Sequence, residues 1–157
     1  MRVGFGVDVH RFSDEGTVRL CGIEVDDTRG IEATSDGDVA LHALIDALLG
    51  AAGVGDIGMH FPSSDPRWAG SDSAELLAAA LAEIVSVGYA PSQVDVTIIA
   101  ESVRISPHRE AMRARLAALL NLRVDDVSVK ATSTDGLGFL GTDEGIAATA
   151  VATIAEH

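Results

Sequence analysis

Cysteine is almost missing from this chain, and the shortage narrows its chemistry. Cys21 is the single thiol, so no internal disulfide forms and no Cys-rich zinc site can be built; a bound metal must be held mainly by His and carboxylates. Basic residues are scarce as well. The 11 Lys+Arg against 24 Asp+Glu give a formal net charge of −13. That surplus repels phosphate backbones and anionic lipid, and no Lys/Arg cluster reverses it locally, so neither nucleic acid nor a membrane surface is expected as a partner. Long apolar runs are lacking too: Leu76 to Ala82 and Ile146 to Ala152 are too short and too Ala-rich to span a bilayer. The opening Met1-Arg2-Val3-Gly4 has no signal-peptide apolar core, so a cytoplasmic location is the expectation.

What is present is the composition of an ordinary packed globule. With 157 residues, 47% of them hydrophobic and 22% charged, and with no repeat or linker dividing it, the chain reads as one domain over residues 1–157. The segment Arg2 to His10 is a strand with Val3, Phe5, Val7 and Val9 on one face and Asp8 and His10 on the other. Short β pieces follow between Val18 and Val25. Ser35-Asp36-Gly37-Asp38 then offers an N-cap to an apolar series at Val39, Leu41, Leu44, Ile45, Leu48 and Leu49, a helix ending near Gly53. Gly53 to Trp68 reads as an extended loop of the functional kind. A second helix starts at an Asp72 or Ser73 cap and runs to Gly88. Val94 to Ala100 is a strand, Pro107 opens a third helix through Leu120, Val127 to Thr132 is a strand, and Gly145 to Ala155 is read as another. Intermixed strands and helices without a regular βαβ rhythm predict an α+β fold, a mixed sheet with helices on one face.

Asp8 and His10 leave one strand face together, and His42 sits mid-helix with Asp38 and Asp46 one turn to either side. A catalytic zinc site needs three protein ligands and an open position, and Asp8, His10 and His42 supply that set. Asp46 or Asp38 is expected to accept the second ring N–H of His42. The spacing alone is met more often by an exposed strand edge and a core histidine. Thr132-Ser133-Thr134-Asp135-Gly136 offers hydroxyls for a phosphate and a carboxylate for a hard cation, or simply an Asp-Gly turn. Asp56-Ile57-Gly58 with Phe61-Pro62-Ser63-Ser64-Asp65 is a third cluster, equally readable as a structured loop. His60, His108 and His157 are assigned no chemistry.

Together these segments resemble the 2-C-methyl-D-erythritol 2,4-cyclodiphosphate synthase family. The likeness is carried by Gly6-Val-Asp-Val-His10, by Ser35-Asp-Gly-Asp-Val-Ala-Leu-His42 with Asp46-Ala-Leu-Leu-Gly50, and by Gly55-Asp-Ile-Gly58 with Phe61-Pro62 and Asp65-Pro66. It continues in Asp95-Val-Thr-Ile-Ile-Ala100, Pro107-His108, Val129-Lys-Ala-Thr132, Gly138-Phe-x-Gly141 and Glu144-Gly145. The resemblance implies an intramolecular phosphoryl transfer: the 2-phosphate of 4-diphosphocytidyl-2-C-methyl-D-erythritol 2-phosphate attacks the β-phosphorus and expels CMP. It implies Zn²⁺ on Asp8, His10 and His42, and Mg²⁺ or Mn²⁺ held through Asp135 with the substrate. It places Ser35 near the phosphates, Asp56, Ile57, Gly58, Phe61, Pro62, Ser63, Ser64 and Asp65 near the erythritol, and Ala100, Arg104, Ile105, Ser106 and Thr132 near cytidine. Thr134 and Phe139 join the substrate contacts, as do the ligands Asp8 and His10, and Ser133 supplies a catalytic hydroxyl. It further implies a homotrimer, sheets toward the three-fold axis, with each site between subunits.

The chain departs from the family pattern at five positions. Thr34 stands where the family has His, Asp135 where Glu is common, Ser133 where Thr is usual, Val103 where Pro is usual, and Thr142 where Arg is frequent. Thr34 and Asp135 keep a second reading open, a non-catalytic homologue that binds cytidine diphosphate or isoprenoid. A zinc hydrolase of another phosphate ester is a third, distinguished by linear products.

Overall fold

Strand β1 (Arg2–Ser13) presents two unlike faces, and that contrast organises the molecule. The computed structural model describes every residue from Met1 to His157. One face of β1 carries Gly4, Gly6, Asp8 and His10. Against its glycines lies helix α1 (Val39–Ala52), so close that a Cβ on Gly4 would stand 1.9 Å from the Ala47 carbonyl oxygen, and one on Gly6 would stand 2.0 Å from that of Ala43. Only glycine permits that approach. The other face carries Val3, Phe5, Val7 and Val9, exposed at 67%, 63%, 48% and 44%. The apolar side of the opening strand therefore points away from this chain's own core.

β1 pairs antiparallel with β4 (Gly30–Ile31) on one side and with β7 (Gly145–Glu156) on the other, where the ladder runs from Arg2↔Ile154 to Arg11↔Gly145. β7 pairs antiparallel with β5 (Tyr89–Ile99), which pairs parallel with β6 (Val127–Thr132), giving the order β4-β1-β7-β5-β6. β2 (Val18–Leu20) and β3 (Ile23–Asp26) form a separate ribbon. This is the mixed sheet expected. The Gly145 to Ala155 segment is a strand because alternate residues Ile146, Ala148, Ala150, Ala152 and Ile154 all fall on the buried face. β5 begins earlier than the expected Val94: a register shift between Pro91 and Gln93 absorbs the proline, which has no N–H to give the ladder.

The helices cover one face of the sheet. α1, the most buried, runs from the Asp38 cap to Gly53, whose left-handed φ of 74° closes the last turn. The Asp38 carboxylate accepts N–H bonds from Leu41, Cys21 and Gly22 at 3.0, 3.0 and 2.7 Å, clamping the ribbon turn to the helix start. Burial raises the pKa of this carboxyl to about 6, against the pull of those donors. α3 (Ser73–Ser86), capped by Asp72, and α4 (Arg109–Leu120), entered through a 3₁₀ turn at Ser106–His108 that contains Pro107, complete the layer. The loop read over Gly53 to Trp68 is more ordered than expected. Asp56 caps the short helix α2 (Ile57–His60), and Asp65 caps a 3₁₀ turn at Pro66–Trp68. No helix is long and apolar enough to cross a membrane.

Two glycines predict opposite outcomes. Gly6→Ala drives a methyl into the α1 backbone and should cost about 3 kcal/mol or more, whereas Gly50→Ala, in α1 with nothing within 4 Å of the added Cβ, should stabilise by about 1 kcal/mol. Urea denaturation of both variants checks the pair.

Candidate active site

The close packing of α1 on β1 brings His42 over Asp8 and His10. Asp8 Oδ2 lies 2.8 Å from His10 Nε2 and 3.0 Å from His42 Nδ1, and the two nitrogens are 3.2 Å apart. The edges of a zinc tetrahedron with ligands at about 2 Å measure about 3.3 Å, so this donor triangle is nearly that size. Its ligand atoms all fall within 4.8 Å of one another. Burial alone would raise the Asp8 pKa, but the protonated forms of His10 and His42, which donate to it and bring charge, lower it to about 2. Burial likewise lowers the His10 pKa, and the Asp8 carboxylate overrides it and raises it.

The outer hydrogen bonds fix which nitrogen of each ring faces the triangle. His10 Nδ1 lies 3.2 Å from the Glu32 carbonyl oxygen, which only accepts, so in the neutral ring that a metal binds Nδ1 carries the proton and Nε2 presents its lone pair. His42 Nε2 lies 2.9 Å from Ser73 Oγ and 3.1 Å from Ser35 Oγ. Ser73, fully buried, donates its own proton to the Asp36 carboxylate, so its oxygen accepts from His42 Nε2–H and leaves Nδ1 unprotonated toward Asp8. Both imidazoles thus aim lone pairs at one point beside a carboxylate, which is what a divalent metal requires.

This corrects the expectation that Asp46 or Asp38 orients His42. Asp38 is spent on the three backbone donors described above, and Asp46 accepts the Ile57 N–H at 2.7 Å, anchoring α2. Asp36 acts instead, through the hydroxyl of Ser73. Sequence reading missed Ser73 because a serine at the start of a helix is explained by capping, and nothing local shows that it also reaches a histidine on another helix.

Beside the triangle lies a cavity of about 210 Å³ lined by Thr34, Ser35, Ile57, Gly58, Phe61 and Ser63 along with His10 and His42. Ala33, Leu76 and Trp68 complete its wall, the indole edge-on to Phe61 at 5.0 Å. Trp68 is the single tryptophan and was not foreseen there. Of the remaining residues expected near it, Asp56 and Asp65 spend oxygens on the backbone N–H groups of Met59 and Arg67, and Pro62 and Ser64 lie on the same loop outside the lining.

The other expected residues gather elsewhere. Ala100, Arg104, Ile105, Ser106 and Thr132 line a second cavity of about 540 Å³ at the ends of the parallel pair β5 and β6. Ser133, Thr134 and Asp135 follow in the exposed turn after β6, where Asp135 has a left-handed φ of 55° and donates its N–H to Ser133 Oγ. Phe139, on the short helix α5 (Gly138–Gly141), lines a third cavity with His10 and Glu144. A single chain therefore carries the expected parts in separate pockets.

A model of the YgbB family matches residues 1–155. The chain belongs to the YgbB family. A 2-C-methyl-D-erythritol 2,4-cyclodiphosphate synthase from Symbiobacterium thermophilum is 51% identical over 155 residues, covering 99% of each chain. The solved bifunctional IspDF of Campylobacter jejuni superposes with a TM-score of 0.96 at 36% identity, covering 99% of this chain and 42% of that one. A solved 2C-methyl-D-erythritol-2,4-cyclodiphosphate synthase in a CDP-bound form superposes with a TM-score of 0.89 at 35% identity, covering 98% of this chain and 100% of that one. For this YgbB-family chain, Ser73→Ala should weaken binding of a divalent metal at the triangle, probed with Zn²⁺, about 10–100-fold while Asp46→Asn changes it little, as read by competition with a chromophoric chelator.

Proposed function

We propose that this chain converts 4-diphosphocytidyl-2-C-methyl-D-erythritol 2-phosphate into 2-C-methyl-D-erythritol 2,4-cyclodiphosphate and CMP, as a cytoplasmic phosphorus–oxygen lyase of isoprenoid precursor synthesis. The observation that carries the reading is the Asp8–His10–His42 triangle, its ring nitrogens already oriented, opening beside a pocket with a polar mouth and an apolar wall. The names borne by the relatives agree with it.

The chemistry asks little of side-chain bases. An oxygen of the 2-phosphate attacks the β-phosphorus, the bond from that phosphorus to the bridging α–β oxygen breaks, and the electron pair leaves on CMP. The nucleophile is already an anion, so the work is positioning and neutralisation of charge. When bound, Zn²⁺ on Asp8, His10 and His42 and Mg²⁺ or Mn²⁺ through Asp135 supply the positive charge that a chain of net −13 lacks. One exposed carboxylate suffices for the second ion, because Mg²⁺ takes its other ligands from phosphates and water. Ser35 and Thr34 hold phosphate oxygens at the mouth of the first pocket. Ile57, Gly58 and Phe61 pack against the methylerythritol. Ala100, Arg104, Ile105, Ser106 and Thr132 receive cytidine, and Ser133 donates to the transferring group.

The metal-side pocket and the nucleotide pocket have no lining residue in common. A homotrimer joins the metal half of one subunit to the nucleotide half of its neighbour. The apolar strip Val3, Phe5, Val7 and Val9, paired in the ladder with Val151 and Thr149, supports this, since such a strip on a soluble protein is ordinarily covered by another copy.

Incubation with 4-diphosphocytidyl-2-C-methyl-D-erythritol 2-phosphate, Zn²⁺ and Mg²⁺, followed by phosphorus NMR, should give the cyclic diphosphate and CMP. His42→Ala should lower the rate more than about 100-fold, beyond the range of an outer-shell loss. CDP binding without turnover would identify a binding homologue, and linear products a hydrolase.

A further inference from the structure

Residues 101–105 form one wall of the nucleotide pocket, yet the backbone does little to hold them. Ala100 N–H bonds the Thr132 carbonyl and the Ile105 carbonyl accepts from His108 N–H. Between these points Val103 and Ile105 are buried, while Glu101, Ser102 and Arg104 are exposed. Apart from the Ile105 carbonyl, the hydrogen bonds of this stretch all run through Ser102.

Ser102 Oγ lies 2.9 and 2.8 Å from the two carboxylate oxygens of Asp143, and it also contacts the Arg29 guanidinium. Arg29 Nη1 donates to Asp143 Oδ2 at 2.8 Å, and its Nε lies 3.6 Å from Asp26. The guanidinium carbon lies over the Phe12 ring, 3.8 Å from its centre, a cation–π contact that helps hold it in place. Three segments distant in the chain meet here: the link from β3 to β4, the pocket wall, and the turn before β7. Asp143 itself is held at a left-handed φ of 63°, which a non-glycine residue keeps only when its surroundings compensate. Burial pushes its carboxyl pKa up, and the Arg29 and Ser102 hydrogen bonds outweigh that and lower it. The turn is firm, with Asp143 N–H on Leu140 and Glu144 N–H on Phe139 at 3.1 and 3.0 Å. A loosely held wall is thus tied by one side chain to a rigid support.

We propose that Arg29 and Asp143 are positioning residues for the nucleotide pocket, their ion pair gripping Ser102 and so setting the shape of residues 101–105 that receives the cytidine diphosphate. This rests on the nucleotide reading of the second cavity. Support reaches the pocket from outside it, since neither Arg29 nor Asp143 lines the cavity. The metal triangle is untouched by the brace, so the two functions separate experimentally.

The test uses the whole protein as wild type, Ser102→Ala, Asp143→Asn and Asp143→Gly. Glycine suits the left-handed φ, so Asp143→Gly removes the carboxylate without backbone cost, and Asp143→Asn keeps an acceptor for Ser102 while losing the charge. Amide hydrogen exchange over residues 101–105 and calorimetric titration with CDP plus Mg²⁺ are the readouts, with bound zinc measured alongside. Exchange should quicken, and CDP affinity fall about three- to tenfold, in Ser102→Ala and Asp143→Gly, with a smaller change in Asp143→Asn and unchanged zinc. A lowered melting temperature with exchange and CDP affinity both unchanged would overturn the proposal, leaving the brace a stabiliser only. Failure of wild type to bind CDP would overturn the nucleotide reading and this role with it, while quickened exchange in the variants would still show that the brace holds the segment.

Discussion

The approach of α1 to β1 is the constraint on which the rest depends. Two residues along a strand advance about 6.8 Å and four along a helix about 6 Å, so a helix laid antiparallel on a strand keeps nearly in step with it. Gly4 sits against Ala47 and Ala51, and Gly6 against Ala43 and Ala47. The next inward position, Asp8, must then meet the turn containing His42, and His10 follows beside it. The candidate metal ligands converge because the glycines and alanines before them allow the backbones to touch. A larger residue at either glycine would lift the helix and separate His42 from its partners.

That geometry explains what could be read from the sequence alone. The strand, the helix, its Asp38 cap and its Gly53 stop are local, and periodicity and capping chemistry reveal them. The shared face of Asp8 and His10 follows from the two-residue period of a strand. Their meeting with His42 is not local, and residue types and spacing left it open until the resemblance of ordered segments decided it. The hydrogen-bond partner of His42 was misread for the same reason. Asp46 and Asp38 are neighbours on the helix, but the ring points away from both, toward a hydroxyl contributed by α3.

Separation of the two pockets is the other feature hidden from sequence. Spacing cannot say whether Thr132 to Asp135 and Asp8 to His42 meet within one chain or between copies, because both arrangements preserve the motifs. Once the fold is drawn, the helix-covered side of the sheet holds the candidate metal ligands while β1's opposite face is bare. The alternation in Arg2 to His10 therefore encodes two unlike faces, one packed on α1 and one apolar and exposed. Polarity alone would have assigned the apolar side to the core.

The central ladder also bears on how the chain is made. β1 and β7 are neighbours in the sheet, joining residues 2–11 to residues 145–154. Every ladder bond between them spans most of the polypeptide, the kind of long-range contact that slows folding. During synthesis β1 emerges ahead of the other strands with its valines and phenylalanine, and its main-chain partner β7 follows all of them. Until β7 is available, the nascent chain presents an unpaired, apolar strand edge, the form most open to improper pairing with other chains. The arrangement that gives the finished sheet its continuous middle leaves the unfinished one with an open seam.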